Sequence, residues 1–214
     1  PSNNNNNNTY NNDNYNTGNS KTCKLPNDSL ITPITKDQLN AGWAMSPDQQ
    51  CTYGKWCPYA CKSGYYSSQW DPTSKCPNGP ECGSMNGGLY CDNNGNLQLP
   101  FKDKPLCSLS LNNVNIKSEL NEAVSFCQTV YPGNEAMIIP TVAEPQCSNQ
   151  IINSPPSTYW QGTSAQYYVN PKNSDSSKCI WGDANKPYGN WAPYVLGIGQ
   201  GAQSLTYMSL TVNP

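Results

Sequence analysis

The chain has 214 residues, with twelve Lys, no Arg, fourteen Asp and Glu, and a net charge of −2. That length suits one domain, or one domain with a tail. Hydrophobic residues make up 36% and charged residues 12%; counting Gly in place of Tyr brings the apolar share to about 37%, against a usual 45–50%, and the charged share is about half the usual one. A phosphate-reading surface would be rich in Lys and Arg, so no nucleic-acid partner is expected, and no apolar run approaches the roughly 20 residues of a membrane span. There is no His, which removes Ser-His-Asp and Cys-His catalysis and His-ligated zinc.

Residues 1–22 are almost entirely Asn, Thr, Ser, Asp, Gly and Tyr. Such a segment cannot bury enough apolar surface to offset its ordering entropy, and it reads as an Asn-rich disordered linker. The folded domain is expected from Cys23 to residue 214. Pro and Gly punctuate it every few residues, so most runs are too short for helices. The β-branched and aromatic runs predict strands at Gly88–Cys91, Ala136–Ile139, Tyr159–Gly162, Gln166–Val169, Cys179–Trp181 and Leu205–Val212. One helix is predicted at Ser118–Val130: Ser118 caps it, Glu119 and Glu122 suit its first turn, and Leu120, Val124 and Cys127 repeat at helical spacing before Pro132-Gly133.

Eleven cysteines stand at 23, 51, 57, 61, 76, 82, 91, 107, 127, 147 and 179. No pair of C-x-x-C knuckles exists, so a disulfide framework is favoured over thiolate ligands, and no metal is expected. Disulfides imply an oxidising compartment, meaning secretion or the cell surface, and they let a chain poor in apolar residues hold a fold. The odd count leaves one thiol over. Pro1 and Pro214 read as the ends of a processed or trimmed fragment, so its partner is expected beyond the carboxyl terminus. Two glycosylation sequons, Asn7-Asn8-Thr9 and Asn27-Asp28-Ser29, are compatible with secretion.

Fourteen Tyr and six Trp stand against two Phe. Tyr and Trp combine an apolar face with a polar edge, the combination that a pyranose ring with its C–H faces and hydroxyls requires. They concentrate at Tyr159, Trp160, Tyr167, Trp181, Tyr188 and Trp191, interleaved with polar residues such as Asn190, and Trp70 lies upstream. These are the candidate substrate-binding residues, and a neutral polysaccharide is the expected ligand. Glycoside hydrolysis usually needs two carboxylates. The candidate pool is Asp71, Asp92, Glu135 and Asp183, each beside aromatic or turn residues; spacing alone does not choose a pair. No cofactor is expected.

The words CTYGKWCPYAC (Cys51–Cys61), QWDP (Gln69–Pro72), GGLYCD (Gly87–Asp92), FCQTV (Phe126–Val130), PGNEAMIIPT (Pro132–Thr141), YWQGTSAQYYVN (Tyr159–Asn170) and SDSSKCIWGDANKPYGNWAPYV (Ser174–Tyr194), in that order, resemble the fungal SUN family of cell-wall proteins (not the nuclear-envelope domain of the same name). The resemblance covers about residues 45–214. It implies a secreted wall protein with a low-complexity amino-terminal part, acting in wall remodelling, septation and cell separation as a β-glucosidase or β-1,3-glucan hydrolase or transglycosylase. The alternative is a non-catalytic lectin or structural wall protein holding glucan or chitin. No established active-site residue is carried over. Two departures stand out: an insertion containing Cys76 and Cys82, which are expected to bridge each other, and an end short of the family's cysteine-containing carboxyl-terminal continuation. The expected fold is mainly β, a disulfide-rich antiparallel β-sandwich with long loops and one short helix, with a thaumatin-like arrangement as the specific analogy.

Overall fold

A computed structural model describes residues 21–75, 86–130, 132–133, 138–180 and 182–213. The expected Cys76–Cys82 bridge, Glu135, Trp181 and the linker to residue 20 lie outside them. The described chain is mainly β and every strand pairing in it is antiparallel.

The amino-terminal half is built from very short strands: β1 (Ile31–Thr32), β2 (Trp56–Cys57), β3 (Ala60–Cys61), β4 (Tyr65–Ser67), β5 (Leu89–Cys91), β6 (Leu97–Gln98), β7 (Cys107–Leu109) and β8 (Asn115–Ile116). They form the small sheets β1-β3, β2-β5-β6 and β4-β7, while β8 pairs with β11. Two or three residues per strand hold little by hydrogen bonding alone. Among the described residues the half is braced by three disulfides, Cys23–Cys91, Cys51–Cys57 and Cys61–Cys107. All six half-cystines join Trp43, Tyr59 and Leu89 in one buried cluster. Trp43 is fully buried, and its indole N–H donates to the carbonyl of Cys23 at 3.0 Å, so the largest side chain of this core leaves no polar group unpaired.

The carboxyl-terminal half is dominated by one five-stranded sheet, ordered β10-β9-β12-β13-β14. Its strands are β9 (Val124–Thr129), β10 (Ile138–Ala143), β12 (Ala165–Val169), β13 (Tyr194–Gln200) and β14 (Thr206–Val212); β11 (Gln150–Ile151) lies between β10 and β12 in the chain. Tyr167, Ala165, Ile198 and Ile152 form the core on one face, with Phe126 and Leu196 packed against it. On the other face, Cys127 of β9 is bonded to Cys179, which ties the loop after β12 to the sheet. Ile34, Ala44, Ala60, Val130 and Ile139 form a further cluster joining the two halves.

The helix expected at Ser118–Val130 is a strand over Val124–Thr129. β9 is central, pairing with β10 on one side and β12 on the other, and those long-range ladders outweigh the local helical spacing. Glu122 is not a first-turn helix residue; it pairs with Lys172 across the surface at 3.1 Å. Two further expectations change. Tyr159–Gly162 is not a strand but holds a 3-10 turn at Trp160–Gly162, and Cys179 and Ile180 lie outside any strand. The strands expected at Gly88–Cys91, Gln166–Val169 and Leu205–Val212 are present to within one residue at each end.

Candidate functional site: a tyrosine and amide cleft

A cleft with about 270 Å³ of empty space, its open mouth included, lies where the two halves meet. β4, held by pairing Tyr65 and Tyr66 against Leu109 and Ser108 of β7, supplies one wall. Tyr59 and Cys61 continue it, and the Tyr59 hydroxyl donates to the carbonyl of Leu106. Gln128, Val130 and Ile139 from the β9–β10 hairpin form the opposite wall, and Asn153 and Tyr159 complete the lining. Among the described residues no charged side chain lines it.

The polar floor is a connected set. Asn153 is 4% exposed, and its Nδ2 donates to Gln128 Oε1 at 2.9 Å. The Tyr167 hydroxyl lies 3.2 Å from the Asn153 carbonyl and 3.4 Å from Gln128 Oε1. Gln128 and Tyr167 are facing partners across the β9–β12 ladder, so sheet register places them together. Burial pushes the Tyr167 phenol well above its ordinary value, which keeps it a neutral hydroxyl.

Behind the wall stands an aromatic stack. Trp70, Tyr159 and Trp160 are buried together with Tyr66 and Phe101 against them. Tyr66 and Tyr159 meet edge-on with centroids 5.3 Å apart, and Trp70 meets Tyr159 at 6.0 Å. Lys104 Nζ sits 5.0 Å over the Trp70 ring, and the Trp160 indole N–H donates to the Ser74 carbonyl at 3.2 Å. Both indoles are interior, so they fix Tyr66 and Tyr159 rather than offer open faces.

Of the residues singled out in the sequence, Trp70, Asp71, Tyr159, Trp160 and Tyr167 gather at or behind this cleft. Asp71 is 9% exposed. Its Oδ1 accepts from the Thr73 backbone N–H at 2.8 Å and the Thr73 hydroxyl at 2.7 Å, and its Oδ2 from Asn86 Nδ2 at 2.9 Å. Burial pushes this carboxyl up, but the bonds from Asn86 and Thr73 outweigh it and hold the group below its ordinary value. A depressed carboxyl contributes stability that is present above the unfolded value near 3.9 and lost as pH falls through the lower folded value. Wild type is therefore expected to lose more stability than Asp71→Asn in urea melts between about pH 5 and pH 2; parallel curves would show that the carboxylate adds nothing.

The other candidates lie elsewhere. Asp92 caps the β5–β6 turn, accepting from the backbone N–H groups of Asn94 and Asn96 and from Gln98 Nε2; the Asn96 bond is the main cause holding its carboxyl low. Asp183 accepts from the Asn185 backbone N–H at 2.9 Å and faces Lys186 at 3.8 Å. Tyr188, Asn190 and Trp191 belong to the same loop as Asp183, where Asn190 Oδ1 accepts from the Gly182 N–H, Lys178 covers the Tyr188 ring, and Trp191 is 42% exposed. The Sγ atoms of Cys23, Cys51 and Cys91 lie within 4.8 Å of one another, but all three are disulfide-bonded and offer no thiolate. Cys147 is the free thiol among the described residues.

Sequence reasoning did not single out Tyr65, Tyr66, Gln128 or Asn153 as site residues. The Tyr65-Tyr66 doublet between Gly64 and Ser67 was the available signal for two of them; the amides carry no local signal at all.

Fold and site together define a disulfide-braced antiparallel β domain of the kind kept in oxidising compartments, with a cleft that among the described residues is lined by aromatic, amide and small apolar or hydroxyl groups. The chain belongs to the SUN family: the family model described as "Beta-glucosidase (SUN family)" matches residues 18–214. It is 46% identical over 193 residues to a probable secreted beta-glucosidase, adg3, of Schizosaccharomyces pombe, covering 90% of this chain and 17% of that protein. It is 46% identical over 195 residues to the uncharacterized protein YMR244W of Saccharomyces cerevisiae, covering 90% of this chain and 54% of that one. It is 38% identical over 189 residues to the secreted beta-glucosidase SIM1 of Candida albicans, covering 82% and 49%. The chain thus spans about half, or less, of the length of these curated relatives. No solved structure matches it.

Proposed function

We propose that this domain is a secreted fungal wall module that holds β-1,3-glucan in the tyrosine and amide cleft and serves wall remodelling and cell separation. The observation that carries the reading is the lining: tyrosines for C–H faces, an amide pair for hydroxyls, and no charge among the described residues. Such a surface suits a neutral polyol and disfavours phosphates, carboxylates and amines, which would be desolvated there without a counter-charge. At about 0.3 kcal/mol per non-hydrogen atom, one glucosyl unit corresponds to roughly millimolar affinity, and longer chains gain by contacting the mouth.

Turnover is the second reading, favoured by the relatives' names as β-glucosidases. In it Asp71, held ionised below its ordinary value, would serve as base or nucleophile, and the acid, whose carboxyl must be raised, would come from the rest of the pool, Glu135 first.

The test is to incubate the domain with a linear β-1,3-gluco-oligosaccharide, following retention and product sizes by mass spectrometry. Retention without size change is expected, weakened about tenfold in Tyr66→Ala. Shortened or lengthened products that vanish in Asp71→Asn, Asp92→Asn, Glu135→Gln or Asp183→Asn would establish the second reading. A folded domain that neither retains nor alters the sugar would overturn both.

A further inference from the structure

Asn153 is buried, yet its Oδ1 has no hydrogen-bond partner. A buried polar atom left unpaired ordinarily carries a free-energy penalty, and native proteins rarely keep one without a use. The Nδ2 of the same amide is occupied by Gln128, and the residue lines the cleft floor. We infer that Asn153 is the specificity determinant of a subsite that reads the exocyclic hydroxymethyl group of a glucosyl unit. This rests on the glucan reading above and says which part of the sugar enters.

The cleft, even counting its mouth, is smaller than the roughly 300–1,000 Å³ that encloses a drug-sized ligand. A pyranose ring stays at the rim, against the partly exposed Tyr65 and Tyr66, and only a narrow arm goes in. On a glucosyl unit the C6 hydroxymethyl is the group on a rotatable arm. Its hydroxyl is both donor and acceptor, and it can donate to Asn153 Oδ1, itself closed to solvent, once the amide turns slightly toward the cleft. If the Asn153 and Gln128 amides turn over together, an N–H takes the place of Oδ1 while their mutual bond is kept, and the same hydroxyl satisfies it as acceptor. A carbonyl or an ammonium would satisfy only one of the two arrangements.

The consequence is linkage selectivity. In a β-1,3-linked chain every unit keeps its C6 hydroxyl free. In a β-1,6-linked chain that oxygen is consumed by the linkage in all but the non-reducing unit. The cleft therefore accepts β-1,3-glucan along its length and β-1,6-glucan only at an end.

The experiment is a titration of the whole chain with a β-1,3-linked glucotriose, its C6-deoxy analogue, a β-1,6-linked glucotriose and a β-1,4-linked N-acetylglucosamine trimer, on wild type and Asn153→Ala. The C6-deoxy analogue is expected to bind wild type about tenfold more weakly than the parent, with the difference largely gone in Asn153→Ala; the β-1,6 trimer is expected to be weaker than the β-1,3 one. Equal binding of parent and deoxy sugar to wild type overturns the inference and leaves the glucan reading standing. If only the N-acetylglucosamine trimer binds, the glucan reading falls and this inference falls with it. Binding of none of them overturns both. Should Asn153→Ala fail to fold, the comparison of the two sugars on wild type decides alone.

Discussion

Removing the Cys61–Cys107 disulfide, as Cys61→Ala with Cys107→Ala, is expected to lower stability by about 4 kcal/mol, or about 10 °C in melting temperature. The bond joins residues 46 apart in sequence, and in the chain-entropy account the stabilisation grows with the logarithm of that loop. Cys51–Cys57 supplies the internal comparison. It closes a separation of only 6, for which the same account gives about 2.2 kcal/mol. All four sulfurs are buried, so the packing lost on truncation is similar and the difference between the two double variants isolates the loop term. Urea melts in a Cys147→Ser background, which prevents exchange with the free thiol, make the measurement. Equal losses would locate the stabilisation in native contacts rather than in the unfolded chain. Oligosaccharide retention is expected to fall with Cys61–Cys107 and not with Cys51–Cys57. Cys61 lines the cleft, and its partner lies in β7, the strand that positions Tyr65 and Tyr66.

This dependence on crosslinks explains which parts of the fold were legible in the sequence. β14 alternates over seven residues, and its period showed directly; its ladder with β13 sets Met208 opposite Ile198 and Leu210 opposite Leu196. The two-residue strands β1, β2, β3 and β6 have no period to read. They exist because disulfides and the buried Trp43 and Tyr59 hold their chains in place. At 118–130 two periods competed. Leu120, Val124 and Cys127 mimic a helical stripe, whereas Val124 to Thr129 also alternates, with Phe126 and Gln128 on the face of Tyr167 and Val169. Only the presence of ladders on both sides decides between them, and a ladder is a long-range fact. The site was half legible for the same reason. Tyr159 and Tyr167 announce themselves by composition, but Gln128 and Asn153 become a pair only when β9 and the segment after β11 meet. Asp92 and Asp183, which looked like catalytic candidates, are occupied by the backbone of their own turns, the ordinary work of an Asp followed by Asn or Gly-rich sequence.

Gly88→Ala is expected to be among the most damaging glycine substitutions, at about 4 kcal/mol or more. Gly88 has φ +81, and a methyl group there would stand 1.9 Å from the carbonyl oxygen of Cys57 and 2.6 Å from the Cα of Pro58. Both are backbone, so no side chain can turn away to make room. At Gly87 the same methyl would meet the Pro132 carbonyl oxygen at 1.7 Å. The pair lets the chain pass between the β2–β3 segment and the residues that follow β9. Gly87 meets Pro132 of the other half, whereas Gly88 packs on Cys57 and Pro58 of its own. Gly54 separates the two causes. It has a similar φ of +78, but nothing lies within 4 Å of the added carbon, so Gly54→Ala should show only the left-handed backbone penalty of about 1–2 kcal/mol. Urea melts of the two variants against wild type measure the difference, and it belongs to close packing alone. If Gly88→Ala falls no further than Gly54→Ala, the β2–β3 segment yields to the added methyl without cost, and this close approach holds nothing in place. A larger fall, with oligosaccharide retention lost under conditions where the protein is still folded, would mean that the same close approach sets both the stability of the fold and the seat of Tyr59, which follows Pro58 and lines the cleft.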